Sequence, residues 1–189
     1  MHKGCSTEVL HSSTLFIAGN PHADTSAFIH DLQPIIRALD IDWMALSDES
    51  SGGNFNVPAL QEKLSQPTNI VLHFPLYWYS PPALVKHWLD SILTPGWAFP
   101  STTSRLRGKS LILSITTGAP LDSFQPDGAN GATLEALLLP LKRTALYCGM
   151  NWGGIVASQW NSSDSENAAL STTTKRHSDD LVARITAQG

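Results

Sequence analysis

An open sheet of five parallel strands in the order 2-1-3-4-5, with helices on both faces, is the fold that the sequence predicts. Three observations predict it. Several short apolar runs do not alternate polar with apolar, the mark of strands covered on both faces. Between them lie segments whose apolar residues recur every three or four positions, as along one side of a helix. Strand-like and helix-like segments alternate through the chain, which favours parallel pairing through helical crossovers.

The elements follow in order. The first strand is the run LFIA at 15–18. A helix is expected over 25–39, then a weaker strand at 41–45. The third strand, IVLHF at 70–74, leads to a helix over 83–93, where Leu84, Trp88 and Ile92 repeat every four residues with Val85 and Leu89 beside them. Pro81 and Pro82 suit its start, because proline costs nothing where the amide has no partner. The fourth strand is LILSI at 111–115. Leu134, Leu137, Leu138, Leu141, Ala145 and Cys148 then follow a helical period, with Gly149 as a stop and Pro140 expected to bend or split the helix. A fifth strand is expected at 152–157 and a last helix over 175–187. The polar stretches 47–53 and 161–165 are expected as surface loops. Residues 1–13 are expected as an N-terminal extension, leaving 14–189 as a single domain.

Composition narrows the function. The 189 residues fit one domain, since domains commonly run to about 100–200 residues. With 42% hydrophobic and 15% charged residues, the chain is not a disordered one. Twelve basic against sixteen acidic side chains give a net charge of −4, without the broad positive field a nucleic-acid partner requires. Cys5 and Cys148 make neither a disulfide framework nor a zinc set and read as free thiols in a reducing compartment. The start of the chain lacks the apolar stretch of a secretory signal, and no apolar run reaches the roughly 18 residues of a membrane span. The expectation is a soluble, cytoplasmic protein with no metal site.

In sheets of this order ligands gather at the carboxyl ends of the strands, where strand order reverses. Three loops lie there. Residues 74–99 hold seven of the fifteen aromatic side chains, and Pro75-Leu76-Tyr77-Trp78-Tyr79 follows directly on a strand end. Such side chains can cover a flat ring while the backbone bonds its edge; alternatively Trp78 and Tyr79 cap the core. Thr116-Thr117-Gly118-Ala119 supplies free amides and a glycine that allows close approach, or is a plain turn. Asn20-Pro21-His22-Ala23-Asp24-Thr25-Ser26 enters a helix, whose N-terminal dipole of about half a positive charge suits a phosphate; alternatively Asp24 or Thr25 only caps it. Phosphate at one end and a flat, electron-accepting ring at the other describe a flavin nucleotide.

The segment FPLYWYSPPALVK at 74–86, with Trp88-Leu89-Asp90 and Pro95-Gly96-Trp97-Ala98-Phe99, resembles the signature of the flavodoxin-like NAD(P)H:quinone oxidoreductases. That family includes quinone reductases, drug-activity modulators and ancillary flavoproteins of potassium-efflux systems. The similarity continues through Gly108-Lys109, Ser114-Ile115-Thr116-Thr117-Gly118 and Pro126-Asp127-Gly128 to Cys148-Gly149-Met150-Asn151-Trp152. It implies FMN, or FAD, stacked at Leu76, Tyr77, Trp78 and Tyr79, with the pyrimidine edge on Thr116, Thr117, Gly118 and Ala119. It places the phosphate against Asn20, Ser26 and the amides of Ala27, Phe28 and Ile29. It further implies NAD(P)H as co-substrate, a quinone acceptor sharing the same pocket, and a homodimer.

Four positions depart from the family. Many relatives have histidine at Asn20 and an asparagine at Phe28 or Ile29. In mammalian members a tyrosine and a histidine linked to flavin reduction fall at the pocket positions Phe124 and Asn130; Phe124 cannot relay a proton, and Asn130 cannot titrate. An alternative that the resemblance carries is a regulatory flavoprotein docked on a membrane potassium-efflux system, with little or no turnover. Other motifs lead nowhere. Gly108-Lys109-Ser110 lacks the earlier glycine of a P-loop, whose position is Thr103. His73 and His87 read as core or surface residues, and the first loop lacks the T-x-T-G-x-T pattern of true flavodoxins.

Overall fold

Parallel pairing of buried strands organises the molecule, a computed structural model that describes residues 14–161 and 172–188. The chain forms β1 (Thr14–Ala18), α1 (Ala27–Ala38), β2 (Asp42–Ala45), α2 (Leu46–Glu49), β3 (Ser50–Ser51), β4 (Asn54–Phe55) and α3 (Val57–Ser65). It continues through β5 (Asn69–Pro75), α4 (Ala83–Ile92), β6 (Ser110–Thr117), a 3₁₀ turn at Leu121–Ser123, α5 (Leu134–Leu137), α6 (Leu139–Tyr147), β7 (Asn151–Gln159) and α7 (Thr172–Thr186). The main sheet is ordered β2-β1-β5-β6-β7, parallel at each pairing. Without the small β3–β4 hairpin this is the expected 2-1-3-4-5.

Every residue of β1 and β6 is buried, so alternate side chains feed two cores. On one face Leu15, Ile17, Leu72 and Leu113 meet α3, α4 and α6. On the other Phe16, Val71, Ile112 and Val156 meet α1 and α7. Gly19, just past β1, is held between layers: its N–H donates to the His73 carbonyl at 2.7 Å. A Cβ there would overlap Val85 Cγ2 and come within 3.0 Å of that carbonyl oxygen.

The expected elements hold with local shifts. Ser26 Oγ accepts from the Ile29 N–H at 3.4 Å, so α1 starts at Ala27 rather than at 25. Pro140 splits its helix, ending α5 before Leu138 and standing in the first turn of α6, where no amide is needed. Gly149 stops α6 with φ +76°. The stretch 47–53, expected as a surface loop, is instead a helical turn leading into a hairpin whose Gly52 and Gly53 take φ of +57° and +82°. Helix α3, on the same face as α4 and α6, is an element that the sequence reading left out. Asn56 caps it, Pro58 lies in its first turn, and only Leu60 and Leu64 are buried. Residues 1–13 and 162–165 lie outside the described ones, and among the described residues no helix is long and apolar enough to cross a membrane.

One polar chain interrupts the α1/α7 face. His73 Nδ1 meets Ser114 Oγ at 2.9 Å, Ser114 Oγ meets His177 Nε2 at 2.7 Å, and His177 Nδ1 meets Ser158 Oγ at 2.9 Å. All four residues are buried. Burial, with His177 beside it, holds His73 down at about 3; burial, with Arg176, holds His177 at about 4. Both rings are therefore neutral in the folded protein, whereas the unfolded chain takes up protons below the ordinary histidine value of 6.5. Stability is full above that pH and falls as the pH drops toward the folded values, by roughly 2 kcal/mol per histidine at pH 5. Urea midpoints measured from pH 7 to pH 5 should drop accordingly; a flat profile would contradict neutral burial of the pair.

Candidate functional site

The chain leaves β1 toward β2 on one side and returns as β5 on the other, so the loops after β1 and β5 diverge and open a crevice at the carboxyl edge. Three loops meet at this edge. In the first, Asn20 is buried and its Oδ1 accepts from the His22 N–H at 2.9 Å. The cap of α1 is Ser26 and not Asp24 or Thr25. Its bond takes the Ile29 amide, which the sequence reading reserved for a phosphate; Ala27 and Phe28 carry the first two amides of the helix. The side chains of Phe28 and Ile29 lie in the α1/α7 core, so only their backbone can serve a ligand.

The second loop is strained. The Leu76 N–H donates to the Thr116 carbonyl at 2.8 Å, extending the β5–β6 pairing by one residue. Tyr77 and Ser80 then exchange backbone hydrogen bonds of 2.9 and 3.0 Å around Trp78 and Tyr79. Both central residues are left-handed, with φ of +49° and +63°. A two-residue turn of that kind normally takes asparagine and glycine, and an ordinary L-residue there costs about 1–2 kcal/mol. Trp78 is nonetheless 93% exposed and Tyr79 48%. Neither caps the core, which removes the structural alternative for these two side chains.

In the third loop Thr116 and Thr117 are buried, and Thr117 Oγ1 donates to the Ala119 carbonyl at 2.8 Å. Gly118 is exposed, and a Cβ built on it would meet no atom within 4 Å. Beyond the 3₁₀ turn Phe124 is buried, while Asn130 is pinned to Ser123 by its Nδ2, 2.6 Å from Oγ, and by its N–H, 3.1 Å from the carbonyl. A cavity of about 180 Å³ joins these parts: Leu76, Trp78 and Tyr79 form one side, Thr117, Gly118 and Ala119 another, and Phe124 and Asn130 complete it. No lining side chain carries a charge.

The structure thus gathers eight of the sequence-predicted site residues around one cavity. Pro75, Tyr77 and Thr116 adjoin it in the chain, while Asn20, Ser26, Ala27, Phe28 and Ile29 stand at the neighbouring strand end without lining it. Lys109 of the P-loop-like triplet lies at the opposite edge, where its Nζ donates to the Ser65 and Pro67 carbonyls at the end of α3. His87 meets the Gly53 carbonyl at 2.7 Å. Among the described residues no group of three or more His, Cys, Asp or Glu could hold a metal ion. The sequence reading missed the buried partners of His73; the one visible hint was a serine, Ser114, inside an apolar strand.

A doubly wound parallel sheet with a cavity at the carboxyl ends of β5 and β6, next to the strand-order reversal, is the architecture of the flavodoxin-like class. The family model described as the flavodoxin-like fold matches residues 13–181, and the chain belongs to that family. The glutathione-regulated potassium-efflux system ancillary protein KefF of Enterobacter sp. (strain 638) is 40% identical over 139 residues, which span 73% of this chain and 78% of KefF. General stress protein 14 of Treponema denticola, solved in complex with FMN, is similar with a TM-score of 0.82 at 27% identity, covering 94% of this chain and 99% of that one. An NADPH-quinone reductase from P. pentosaceus gives a TM-score of 0.74 at 27% identity, covering 94% and 98%.

The exposed, left-handed Trp78 yields a direct check of the strain. Trp78→Gly relieves it without opening a cavity in the core, and should raise stability by about 1 kcal/mol. Thermal melting of the ligand-free protein measures the gain; a loss of stability would contradict the strained-turn account.

Proposed function

We propose that this chain binds FMN at the carboxyl edge of the sheet and works as an NAD(P)H:quinone oxidoreductase. The observation that carries the reading is the joining of an exposed, strained aromatic turn and the open Thr117-Gly118-Ala119 segment around one uncharged cavity. The residues present suit the flavin. Trp78 and Tyr79 offer flat faces at the cavity rim, and Gly118 leaves space where any side chain would stand against a ring. When bound, FMN supplies the redox chemistry, taking hydride from the nicotinamide and passing the electrons to the quinone.

The protein's part is binding and electrostatics. The amides of 117–119 can stabilise negative charge at a ring edge, as donors in an oxyanion hole do. The first turn of α1, with the amides of Ala27 and Phe28 and the Ser26 cap, lies at the strand end that would receive the phosphate. Phe124 supplies an apolar wall and Asn130 a fixed polar one. The lining holds no histidine, carboxylate, lysine or cysteine, so one pocket can accept nicotinamide and quinone in turn without such an acid–base residue. The names of the solved relatives support this reading: one was solved in complex with FMN and another is an NADPH-quinone reductase.

Likeness to KefF favours a second role, a flavoprotein ancillary to a membrane potassium-efflux system. The protein would act in either role as a homodimer. A groove of about 510 Å³ runs from Ser80 and Pro81, beside the aromatic turn, past Leu89, Leu93 and Leu141. Leu139, Leu146 and Tyr147 stand exposed on the α6 side. A second copy covering this face would pair apolar surface with apolar surface, as a two-fold axis allows.

The test is purification followed by identification of the released flavin, then steady-state oxidation of NADPH and NADH with a quinone. The expected result is a yellow protein that releases FMN, elutes at twice 20.5 kDa and turns over faster than free FMN. Flavin without turnover would leave the ancillary role alone, and a protein that holds no flavin would overturn both.

A further inference from the structure

The polar chain under the site is a costly choice for a core. Apolar side chains would fill the α1/α7 face, yet two neutral histidines and two serines are desolvated there and bonded along a single line. Each neutral ring has one N–H and one bare nitrogen, and each hydroxyl one proton, so a line in which Ser114 spends its proton on one ring and accepts from the other runs in one direction. If His73 Nδ1–H donates to Ser114, then Ser114 O–H donates to His177 Nε2, and His177 Nδ1–H donates to Ser158. In the reverse sense every bond turns round. Ser114 is the junction, and removing its hydroxyl strands a ring nitrogen on either side. The chain therefore acts as one unit, spanning β5, β6, β7 and α7.

This unit bears on two of the three loops of the site, those after β1 and β6. The His73 ring stacks on Phe28 with centroids 5.4 Å apart and planes at 11°, and the His177 ring meets the same phenyl edge-on at 5.2 Å. Phe28 is the second residue of α1, so its seat fixes the first turn of that helix. The His73 carbonyl also receives the Gly19 N–H, which starts the first loop. At the other end Ser158 stands in register with Thr116 across β6 and β7. Just beyond, the Trp160 N–H donates to the Thr117 carbonyl at 2.9 Å, and the Trp160 ring packs edge-on against Phe28 at 5.1 Å. The start of α1 and the end of β6 are thus tied together from below.

We propose that the His73–Ser114–His177–Ser158 chain is a positioning device for the cofactor site, setting the spacing between the first turn of α1, where the phosphate would lie, and the Thr117-Gly118-Ala119 segment, where the ring edge would lie. Apolar contacts alone would let Phe28 and the strand ends shift against one another; directional hydrogen bonds fix their register. None of the four is a catalytic residue. The proposal rests on the FMN reading above and adds that the C-terminal helix, through His177, takes part in holding the site.

The test compares Ser114→Ala and Ser158→Ala with Ser158→Thr, which keeps the hydroxyl, and with Ile185→Ala, which weakens α7 two turns beyond His177. FMN affinity is measured by flavin fluorescence, the asymmetry of the site by visible circular dichroism of the bound flavin, and loop order by hydrogen exchange of flavin-free protein. Ser114→Ala and Ser158→Ala should weaken FMN at least tenfold, change the dichroism and speed exchange in peptides 26–30 and 116–120. Ser158→Thr should stay within threefold of the parent, as should Ile185→Ala despite its lower melting temperature. Should Ser114→Ala not fold, Ser158→Ala carries the same comparison. The proposal is overturned if the two alanine variants bind FMN and exchange like the parent, or if Ile185→Ala loses FMN as they do. A parent that binds no FMN defeats the reading of function, while the exchange of flavin-free protein still decides whether the chain orders the two loops.

Discussion

The shared register of β1, β5 and β6 is the constraint on which the site depends. Ala18 pairs with His73, and Pro75 pairs with Thr116, so three neighbouring strands end within a few residues of one another. Their loops therefore emerge side by side at one edge. The register in turn comes from burial: β1 and β6 are covered on both faces, and a slip of one residue would exchange the side chains of the two cores. A leucine-rich face toward α3, α4 and α6 and an aromatic face toward α1 and α7 are not interchangeable.

On that frame the molecule stores strain above and polarity below. Trp78 and Tyr79 hold left-handed backbone in a turn that reciprocal Tyr77–Ser80 bonds and the Leu76–Thr116 bond over-determine. The benefit is a large exposed aromatic surface at the mouth of an uncharged cavity. Beneath, two histidines that cannot ionise at neutral pH occupy space that leucine could fill. A sequence selected for stability alone would have neither feature. Both lie at the carboxyl edge, where the open space around Gly118 also lies.

Much of this was legible in the chain. The runs at 15–18, 70–74 and 111–115 are apolar without alternation and became the central strands, because full burial leaves that signature. The aromatic segment after residue 74 marked the cavity wall, and Phe124 and Asn130, assigned through family resemblance, do line the cavity. Helix α3 was not seen because only Leu60 and Leu64 are buried, too few for a periodic pattern; the Asn56 cap and Pro58 were the available signals. The Ser26 cap on the Ile29 amide was not legible either, because which of Asp24, Thr25 and Ser26 caps the helix is decided by local geometry. The buried chain was out of reach for another reason: Ser114 and His177 are 63 residues apart, and nothing local announces that they touch.

In the proposed complex the ring of FMN would lie in the space beside Gly118. Gly118 is not left-handed, and a Cβ there would have no atom within 4 Å beyond its chain neighbours. Titrating FMN into flavin-free Gly118→Val and parent protein, alongside their melting curves, separates fold from site. The account predicts unchanged melting without flavin and at least a tenfold weaker FMN complex for the variant. A variant that melts like the parent and binds FMN as tightly would contradict it.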